Sequence, residues 1–201
     1  RNGGFEFDLS FSGVETKNFS YRLDSVGTGM SNKVVKFSNY EYVGQDYYNV
    51  CSTEDPYPYY NLQRIEKGKS LGNFYMWKYA GLNSDGEWVI YDKNGEYKAG
   101  MDATDEDMYV VGNGLPKFTA SWSNYLKYKN LDLSIYFRGA FGFEIFNIHE
   151  FYYGIPGMTS NVMKTAYTKN ANIKENPLVC DYFIERGDYL KLDMVTIGYT
   201  I

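Results

Sequence analysis

The sequence predicts an all-β, antiparallel protein, and two observations carry that prediction. The first is composition: 22 Tyr, 13 Phe and 3 Trp make 19% of the 201 residues aromatic, and aromatic residues favour strands. The second is strict alternation of apolar and polar side chains in several segments. Alternation indicates strands because successive side chains leave a strand on opposite faces.

Residues 1–28 are predicted to form a first hairpin. In "FEFDLSFS" the apolar residues occupy every second position, and "FSYRLDSVG" repeats the pattern after the polar connection "GVETKN". Two alternating segments separated by a short polar connection are typical of a β-hairpin.

Residues 29–115 are predicted to form a long connection with small hairpins of its own. The segment is polar, aromatic and punctuated by glycine. Within it, "NSDGEW" and "DKNGEY" predict two tight turns on either side of a strand "WVIY".

Residues 116–146 are predicted to form a second hairpin. "FTASWSNYLKY" leads through Lys129-Asn130 into "LDLSIYFRGAFGFEIFN", which has an apolar residue at nearly every odd position from 131 to 147. A strand of roughly fifteen residues would span about 50 Å, far longer than the usual five or six residues. Gly139 and Gly142 interrupt the pattern, which predicts curvature or close packing beside a bulky neighbour.

Residues 147–181 are predicted to form a second long, irregular connection, and residues 182–201 a last long strand. In that strand the apolar series of Leu190, Leu192 and Met194 gives way to Val195 and Ile197. A β-bulge near Met194 would produce this change of phase.

The connections between the long strands alternate in length, short and then long. Short turns at one end and long loops at the other are the pattern of outer-membrane barrels. The sequence therefore predicts a portion of an antiparallel transmembrane β-barrel with short periplasmic turns and long extracellular loops. In this interpretation the apolar faces meet lipid, neighbouring strands satisfy the backbone, and Tyr125 and Tyr128 belong to an interfacial girdle.

Composition also excludes several classes of function. The net charge is −5 and the lysines and arginines are scattered, so nucleic acid is not an expected partner. His149 is the only histidine, which rules out a histidine-based metal cluster or a Ser-His-Asp triad within the chain. Cys51 and Cys180 lie far apart, and both pairing in an oxidising compartment and two unrelated thiols stay open.

Two groups of residues are candidates for binding. Aromatic residues crowd the first long connection, where they would either contact a ligand or lid, or pack the loops against each other: Tyr57, Tyr59, Tyr60, Trp77, Tyr79 and Trp88. Asp102, Asp105 and Asp107 in "DATDEDM" have carboxylates of the kind that calcium prefers. That segment lacks the ligand order and glycine of an EF-hand, so a solvated acidic loop is the alternative, and no cofactor is otherwise expected.

Two other kinds of protein would also account for aromatic richness and alternation. One is a soluble extracellular β-sandwich that binds carbohydrate, in which the apolar faces meet a second sheet. The other is a glycoside hydrolase with paired carboxylates such as Glu144 and Glu150. Strand length and the asymmetry of the connections favour the barrel and a role other than catalysis.

The order of short motifs resembles the SusC/RagA family of TonB-linked outer-membrane transporters. "GNGLPKFTASWSNYLKYKNLDLSIYFRGAFGFEIFN" and the final "YFIERGDYLKLDMVTIGYTI" carry most of the resemblance, which extends over nearly the whole chain. The residues that match the family pattern around the second hairpin are Gly114, Pro116, Phe118, Tyr128, Lys129, Asn130, Asp132, Arg138, Gly139, Phe141, Gly142 and Asn147.

The resemblance implies an internal portion of the C-terminal half of a larger barrel in the bacterial outer membrane. It implies energy-coupled import of large nutrients, either oligosaccharides or peptides. It also implies two partners: a SusD-like surface lipoprotein that caps the barrel, and TonB, which acts through a plug domain that this sequence does not include.

Overall fold

A computed structural model describes residues 1–37, 44–57, 59–157 and 161–201 of the chain. Two compact units are present. We call Arg1–Asn32, Leu115–Phe143 and Gly187–Ile201 the long-strand unit, and Lys33–Gly114 with Glu144–Arg186 the connection unit. No helix among the described residues has the length and apolarity needed to cross a bilayer.

Strands dominate both units, and the one α-helix of the described residues is short. In chain order the elements are β1 (Asn2–Glu15), β2 (Phe19–Asn32), β3 (Tyr47–Ser52), β4 (Asn61–Glu66), β5 (Asn73–Leu82), β6 (Trp88–Tyr91), β7 (Tyr97–Ala99), β8 (Met108–Asn113), β9 (Phe118–Tyr128), β10 (Leu131–Phe141), β11 (Glu144–Phe146), α1 (Ile148–Tyr153), β12 (Ile184–Arg186) and β13 (Tyr189–Tyr199). The all-β, antiparallel fold class is therefore confirmed.

The long-strand unit is one five-stranded antiparallel sheet in the order β1-β2-β9-β10-β13. Residues 16–18 join β1 to β2, and Lys129-Asn130 joins β9 to β10. These two turns lie side by side, because Phe19 pairs with Tyr128 and the Lys129 N–H donates to the Asn18 carbonyl at 2.7 Å.

Both long connections leave the sheet at the opposite end from the short turns. Gly29 of β2 pairs with Phe118 of β9, and Ala140 of β10 pairs with Tyr189 of β13. The Met30 N–H donates to the Lys117 carbonyl at 2.9 Å beyond the last pair of β2 and β9. The predicted alternation of short turns and long connections is thus confirmed by the strand register.

The predicted bulge near Met194 is confirmed. Tyr136 pairs with Met194 and Phe137 pairs with Leu192, so that Asp193 is the extra residue. One extra residue in a strand of period two moves all later side chains to the opposite face. The bulge therefore explains why the apolar series changes phase between Leu192 and Val195.

The prediction of one continuous strand over residues 131–147 is wrong. β10 ends at Phe141, and the shorter β11 pairs instead with β12 in the connection unit. Gly142 has φ +75°, a left-handed conformation that glycine adopts easily and that strands do not use. Its N–H donates to Asp188 Oδ1 at 2.6 Å, so the interruption is held by a side chain that the alternation does not reveal.

The connection unit contains the two tight turns expected around "WVIY". The Asn83 side-chain oxygen accepts from the N–H groups of Asp85 and Glu87, at 3.0 and 2.9 Å. Asp92 does the same for Asn94 and Glu96, at 2.8 and 2.9 Å. Such turns lead the chain into and out of β6, which pairs with both β5 and β7.

A hydrophobic core lies within the connection unit. It draws on both of the long connections: Tyr57, Leu62, Phe74, Met76, Trp77, Trp88 and Ile90 come from the first, and Phe146, Phe151, Ile155, Ile173, Val179, Cys180 and Phe183 come from the second. Cys180 also forms an isolated parallel bridge to Trp77. The two connections therefore fold as one unit with its own interior, and neither is an independent irregular loop.

Candidate functional site

One face of the long-strand sheet is predominantly apolar across all five strands, with Ser25 and Asn124 as exceptions. Directly paired residues of antiparallel strands share a face, so the register places the apolar series of all five strands together. The set includes Phe5, Phe7, Leu9, Phe11, Leu23, Trp122, Leu126, Leu131, Leu133, Ile135, Phe137, Leu190, Leu192, Val195 and Ile197. Many of these side chains are exposed, and Ile197 at 70% is an example. An exposed apolar surface of this kind indicates contact with lipid or with another protein.

Phenylalanine rings cover several glycines of this apolar face. A Cβ atom added to Gly27 would lie 2.3 Å from the Phe7 ring, and one added to Gly139 would lie 2.7 Å from the Phe141 ring. Trp122 and Phe137 stack with their ring centroids 4.9 Å apart. The prediction of close packing beside a bulky neighbour is therefore confirmed for Gly139.

The two tyrosines expected in an aromatic girdle lie on different faces. Tyr128 pairs with Phe19 and Leu131 and so belongs to the apolar face. Tyr125 pairs with Arg22 and Ser134 and lies on the polar face, so its assignment to a lipid-facing girdle is wrong. An odd number of positions separates the two residues, and side chains in a regular strand then point to opposite sides.

The polar face carries ion pairs. Arg138 Nε lies 3.1 Å from Asp193 Oδ2, and Lys191 Nζ lies 2.8 Å from the other oxygen of the same carboxylate. Toward the other edge, the Ser10 hydroxyl donates to Asp24 Oδ1 at 2.7 Å. The bulge residue Asp193 thus joins charges of β10 and β13, and the face is suited to water or to a polar partner.

Glu144 begins β11 in the connection unit, beyond the end of β10 at Phe141. Its Oε2 accepts from the Asn113 N–H at 2.8 Å in the connection unit. Glu150 is buried at the start of α1, where Lys169 Nζ and Asn170 Nδ2 each lie 3.1 Å from Oε1. Each carboxylate of the suggested hydrolase pair is therefore used in bonds that hold the fold together.

Three of the aromatic candidates of the first connection are buried. Tyr57, Trp77 and Trp88 belong to the core, and Trp88 is only 2% exposed. The indole N–H of Trp77 donates to the Thr104 carbonyl at 2.8 Å, and that of Trp88 donates to the Asn176 carbonyl at the same distance.

Two further candidates pack against these buried rings. Tyr60 meets Trp77 edge-on with centroids 5.2 Å apart, and Tyr79 meets Trp88 at 5.7 Å. Tyr59 differs, because 68% of it is exposed. Contact with a ligand or lid stays a prediction for the whole set, and the burial of most members favours the alternative that they pack the connection against itself.

The acidic segment is organised around Asp107. This buried carboxylate accepts from Lys98 Nζ at 2.8 Å, and from the hydroxyl and N–H of Thr104 at 2.8 and 2.9 Å. These hydrogen bonds, with that of Lys98 the largest contribution, outweigh the effect of burial and hold the pKa of Asp107 well below its ordinary value. Asp102 and Asp105 are exposed.

Calcium binding at Asp102, Asp105 and Asp107 stays a prediction. Within the described ranges, no three His, Cys, Asp or Glu side chains lie close enough together to hold a metal ion. The hydrogen bonds between Asp107 and Thr104 cap the 3-10 turn over residues 105–107, and this structural role explains why Asp107 is buried there.

The two thiols are both free. Cys51 is exposed and Cys180 is buried. Burial raises the pKa of the Cys180 thiol, because a thiolate loses its hydration there. Of the two alternatives that the sequence left open, a disulfide and two unrelated thiols, the structure contains the second.

Sequence inspection missed one arrangement, a side-chain stack on the sheet of β3, β4 and β5. The guanidinium carbon of Arg64 lies 3.9 Å from the centroid of the Tyr47 ring and 3.6 Å from that of the Tyr75 ring. The three residues come from three strands, and the spacing of Tyr and Arg along the chain gives no sign that they meet.

Two curated proteins similar to this chain are both TonB-dependent receptors. No protein-family model matches the chain. The chain is 25% identical over 221 residues to TonB-dependent receptor P3 of Formosa agariphila, a match that covers 100% of this chain and 22% of that receptor. It is 26% identical over 162 residues to TonB-dependent receptor P26 of the same organism, covering 73% of this chain and 15% of that receptor.

Solved structures give the same answer for the fold. A structure of the RagAB peptide transporter matches with a TM-score of 0.76 and 16% identity, over 98% of this chain and 22% of that one. The RagAB peptide importer in its closed-closed state matches with a TM-score of 0.73 and 16% identity. The predicted resemblance is thus confirmed: the chain is similar to TonB-dependent receptors and has the fold of a segment of about a fifth of such a transporter.

Proposed function

We propose that this chain is a segment of the barrel wall of a TonB-dependent importer in the bacterial outer membrane. The observation that carries the proposal is the apolar face of the long-strand sheet, which stays exposed although its side chains are large. Lipid solvates such a face, while the charged face opposite suits a wet or protein-filled lumen. The curated relatives are receptors of this class.

The dimensions of the apolar face suit a bilayer. Between Phe118 and Tyr128 the strand covers about 33 Å at 3.3 Å per residue. A tilt of about 40° reduces this to roughly 25 Å along the membrane normal, the height of the apolar band of such barrels. A β-sandwich would instead bury the apolar side chains of this face against a second sheet, whereas Ile197 on this face is 70% exposed.

The cargo of the proposed importer is a large nutrient, a peptide or an oligosaccharide. A SusD-like lipoprotein is the proposed outer cap, and TonB is the proposed source of energy through a plug domain. Two solved structures of similar fold are those of a peptide transporter, which supports a peptide as the first cargo to test. The short turns would face the periplasm, and the long connections would leave the sheet at its extracellular end.

The decisive experiment places a spin label on each face of one strand. Ile197 and Thr196 are neighbours in β13 whose partners, Leu133 and Ser134, lie on the apolar and polar faces. Each is changed to Cys in the native polypeptide that carries this sequence, on a Cys51→Ser background, and reconstituted into phosphatidylcholine vesicles. We expect the label at 197 to be relaxed by oxygen and the label at 196 by a water-soluble nickel chelate.

Equal accessibility of the two labels, or a protein that stays folded and monodisperse without detergent, would contradict the membrane assignment. A second measurement addresses energy coupling. Uptake of a fluorescent peptide pool is compared in cells with and without TonB, and uptake that does not depend on TonB would contradict the importer.

A further inference from the structure

Arg64 is held between two aromatic rings. Tyr47 of β3 covers one face of its guanidinium and Tyr75 of β5 covers the other, at 3.9 and 3.6 Å from the guanidinium carbon to the ring centroids. Arginine stacks on aromatic faces because its cation is flat and weakly hydrated. The stack fixes the plane of the guanidinium group.

The rotation of the guanidinium within that plane is fixed as well. Asn49 lies directly opposite Arg64 across β3 and β4, and its Oδ1 accepts from Arg64 Nε at 2.9 Å. Within the described ranges, no hydrogen bond or salt bridge uses the two Nη groups of Arg64. The edge formed by these groups is therefore oriented, and none of the described residues bonds to it.

An oriented guanidinium edge matches one kind of ligand group. Two parallel N–H bonds from arginine fit the two oxygens of a carboxylate. Because both rings and Asn49 already hold the side chain, a ligand would not have to immobilise it, and that lowers the entropic cost of binding. Tyr47 is 49% exposed, so the stack lies at the surface of the connection unit, within reach of a solute.

We propose that Arg64 is a carboxylate-binding site for the cargo. This inference rests on the proposed function in one respect, which is that the ligand is identified as the cargo of the importer. The carboxylate would belong to the C-terminus or an acidic side chain of a peptide, or to a uronic acid in an oligosaccharide. A carboxylate fits better than a phosphate, because a dianion would call for a second cation and none takes part in the stack.

The test is calorimetric titration of the detergent-solubilised, full-length protein with matched acids and neutral analogues. One pair of probes is N-acetyl-tetra-alanine with a free or an amidated C-terminus. The other is trigalacturonic acid and its methyl ester. We expect the free acid of at least one pair to bind about tenfold or more tightly than its neutral analogue, the size of effect of a charge-assisted hydrogen-bonded pair.

Two variants separate recognition from folding. Arg64→Lys keeps the charge and loses the planar fork, and it should abolish the preference for the acid while circular dichroism stays unchanged. Lys78→Gln is the matched control, because Lys78 also lies over a tyrosine ring, 5.4 Å from the centroid of Tyr91, and it should preserve the preference.

Preference for the acid in the alanine-peptide pair would identify a peptide as the source of the carboxylate. Preference for the acid in the galacturonate pair would identify an oligosaccharide. Equal binding of acid and neutral probes in both pairs, absence of binding to either acid, or a preference that survives Arg64→Lys would overturn the inference. None of these results bears on the spin-label or TonB measurements, so the proposed function can fail or stand separately.

Discussion

The ring of Phe7 in β1 lies over Gly27 in β2, in the space that a side chain at position 27 would fill. A Cβ atom there would be 2.3 Å from Phe7 Cε1. The absence of a side chain is thus part of how this pair of strands packs its apolar face, as aromatic rings covering glycines do in other sheets.

Gly27→Ala should displace the Phe7 ring and lower stability by about 1 kcal/mol, near the lower limit for overpacked sites. The measurement is the temperature at which the detergent-extracted protein loses its folded electrophoretic mobility. Gly3→Ala is the control, because its Cβ would meet only Ser31 Oγ at 3.7 Å. In a Phe7→Ala background the cost of Gly27→Ala should shrink, and an undiminished cost would show that the ring is not responsible.

The bulge in β13 makes a second prediction, on deletions. Removing Met194 would leave Asp193 to pair with Tyr136, so β13 would become regular and keep its apolar residues on one face. Removing Ser134 from β10, which pairs without a bulge with β9, would turn part of the strand over. We expect the Met194 deletion to assemble, and the Ser134 deletion to fail, when folded protein in isolated membranes is measured by heat-modifiable mobility. The reverse order would contradict the register described above.

Asp107 gives a prediction on pH. Its folded pKa lies below the unfolded value, so its contribution to stability is complete above about pH 4, the unfolded value, and declines as the pH falls toward the folded value. Asp107→Ala should cost about 1–2 kcal/mol at neutral pH, as loss of a capping side chain does.

Hydrogen exchange of peptides covering residues 92–113, corrected for the intrinsic rate at each pH, measures this effect. The difference between wild type and Asp107→Ala should be present at pH 7 and should shrink below about pH 4. Asp105→Ala, at an exposed position of the same 3-10 turn, should behave as wild type. A difference that stays constant with pH would assign the effect to packing and not to the charge.

Trp88 and Tyr59 should respond differently to truncation. Trp88→Ala opens a cavity in the core of the connection unit and should cost about 3–5 kcal/mol, whereas Tyr59→Ala at an exposed position should change stability by less than about 0.5 kcal/mol. Trypsin cleavage within residues 61–186 of the membrane-embedded protein reports the difference. Similar cleavage rates for the two variants would mean that the aromatic set does not form the interior of this unit.

The sequence was most informative where one simple rule decides the structure. Alternation predicted β9 from Phe118 to Tyr128 and the bulge beside Met194, because a sheet with one apolar and one polar face dictates the type of every second residue. Turn chemistry likewise predicted the strand between Asn83 and Asp92. The side-chain oxygens of these two residues accept hydrogen bonds from backbone N–H groups two and four residues later in the chain.

What sequence reasoning missed depends on contacts between distant parts of the chain. The end of β10 follows from the backbone angle of Gly142 and from Asp188, a residue 46 positions away. The core of the connection unit joins Trp77 to residues near Cys180, so each long connection viewed alone lacks half of its interior. The Arg64 stack has the same origin, because its rings belong to different strands.

The register at the open end of the long-strand sheet has a consequence for how such proteins diverge. Gly29 and Phe118 form the last pair of β2 and β9, as the two ends of a hairpin turn would. In the sequence, however, residues 33–114 separate the two strands. The sheet needs only that the chain leave β2 and come back one strand spacing away. Insertions, deletions and exchanges in that interval can therefore accumulate without disturbing strand pairing, so residues 33–114 can diverge between lineages faster than the strands on either side of them.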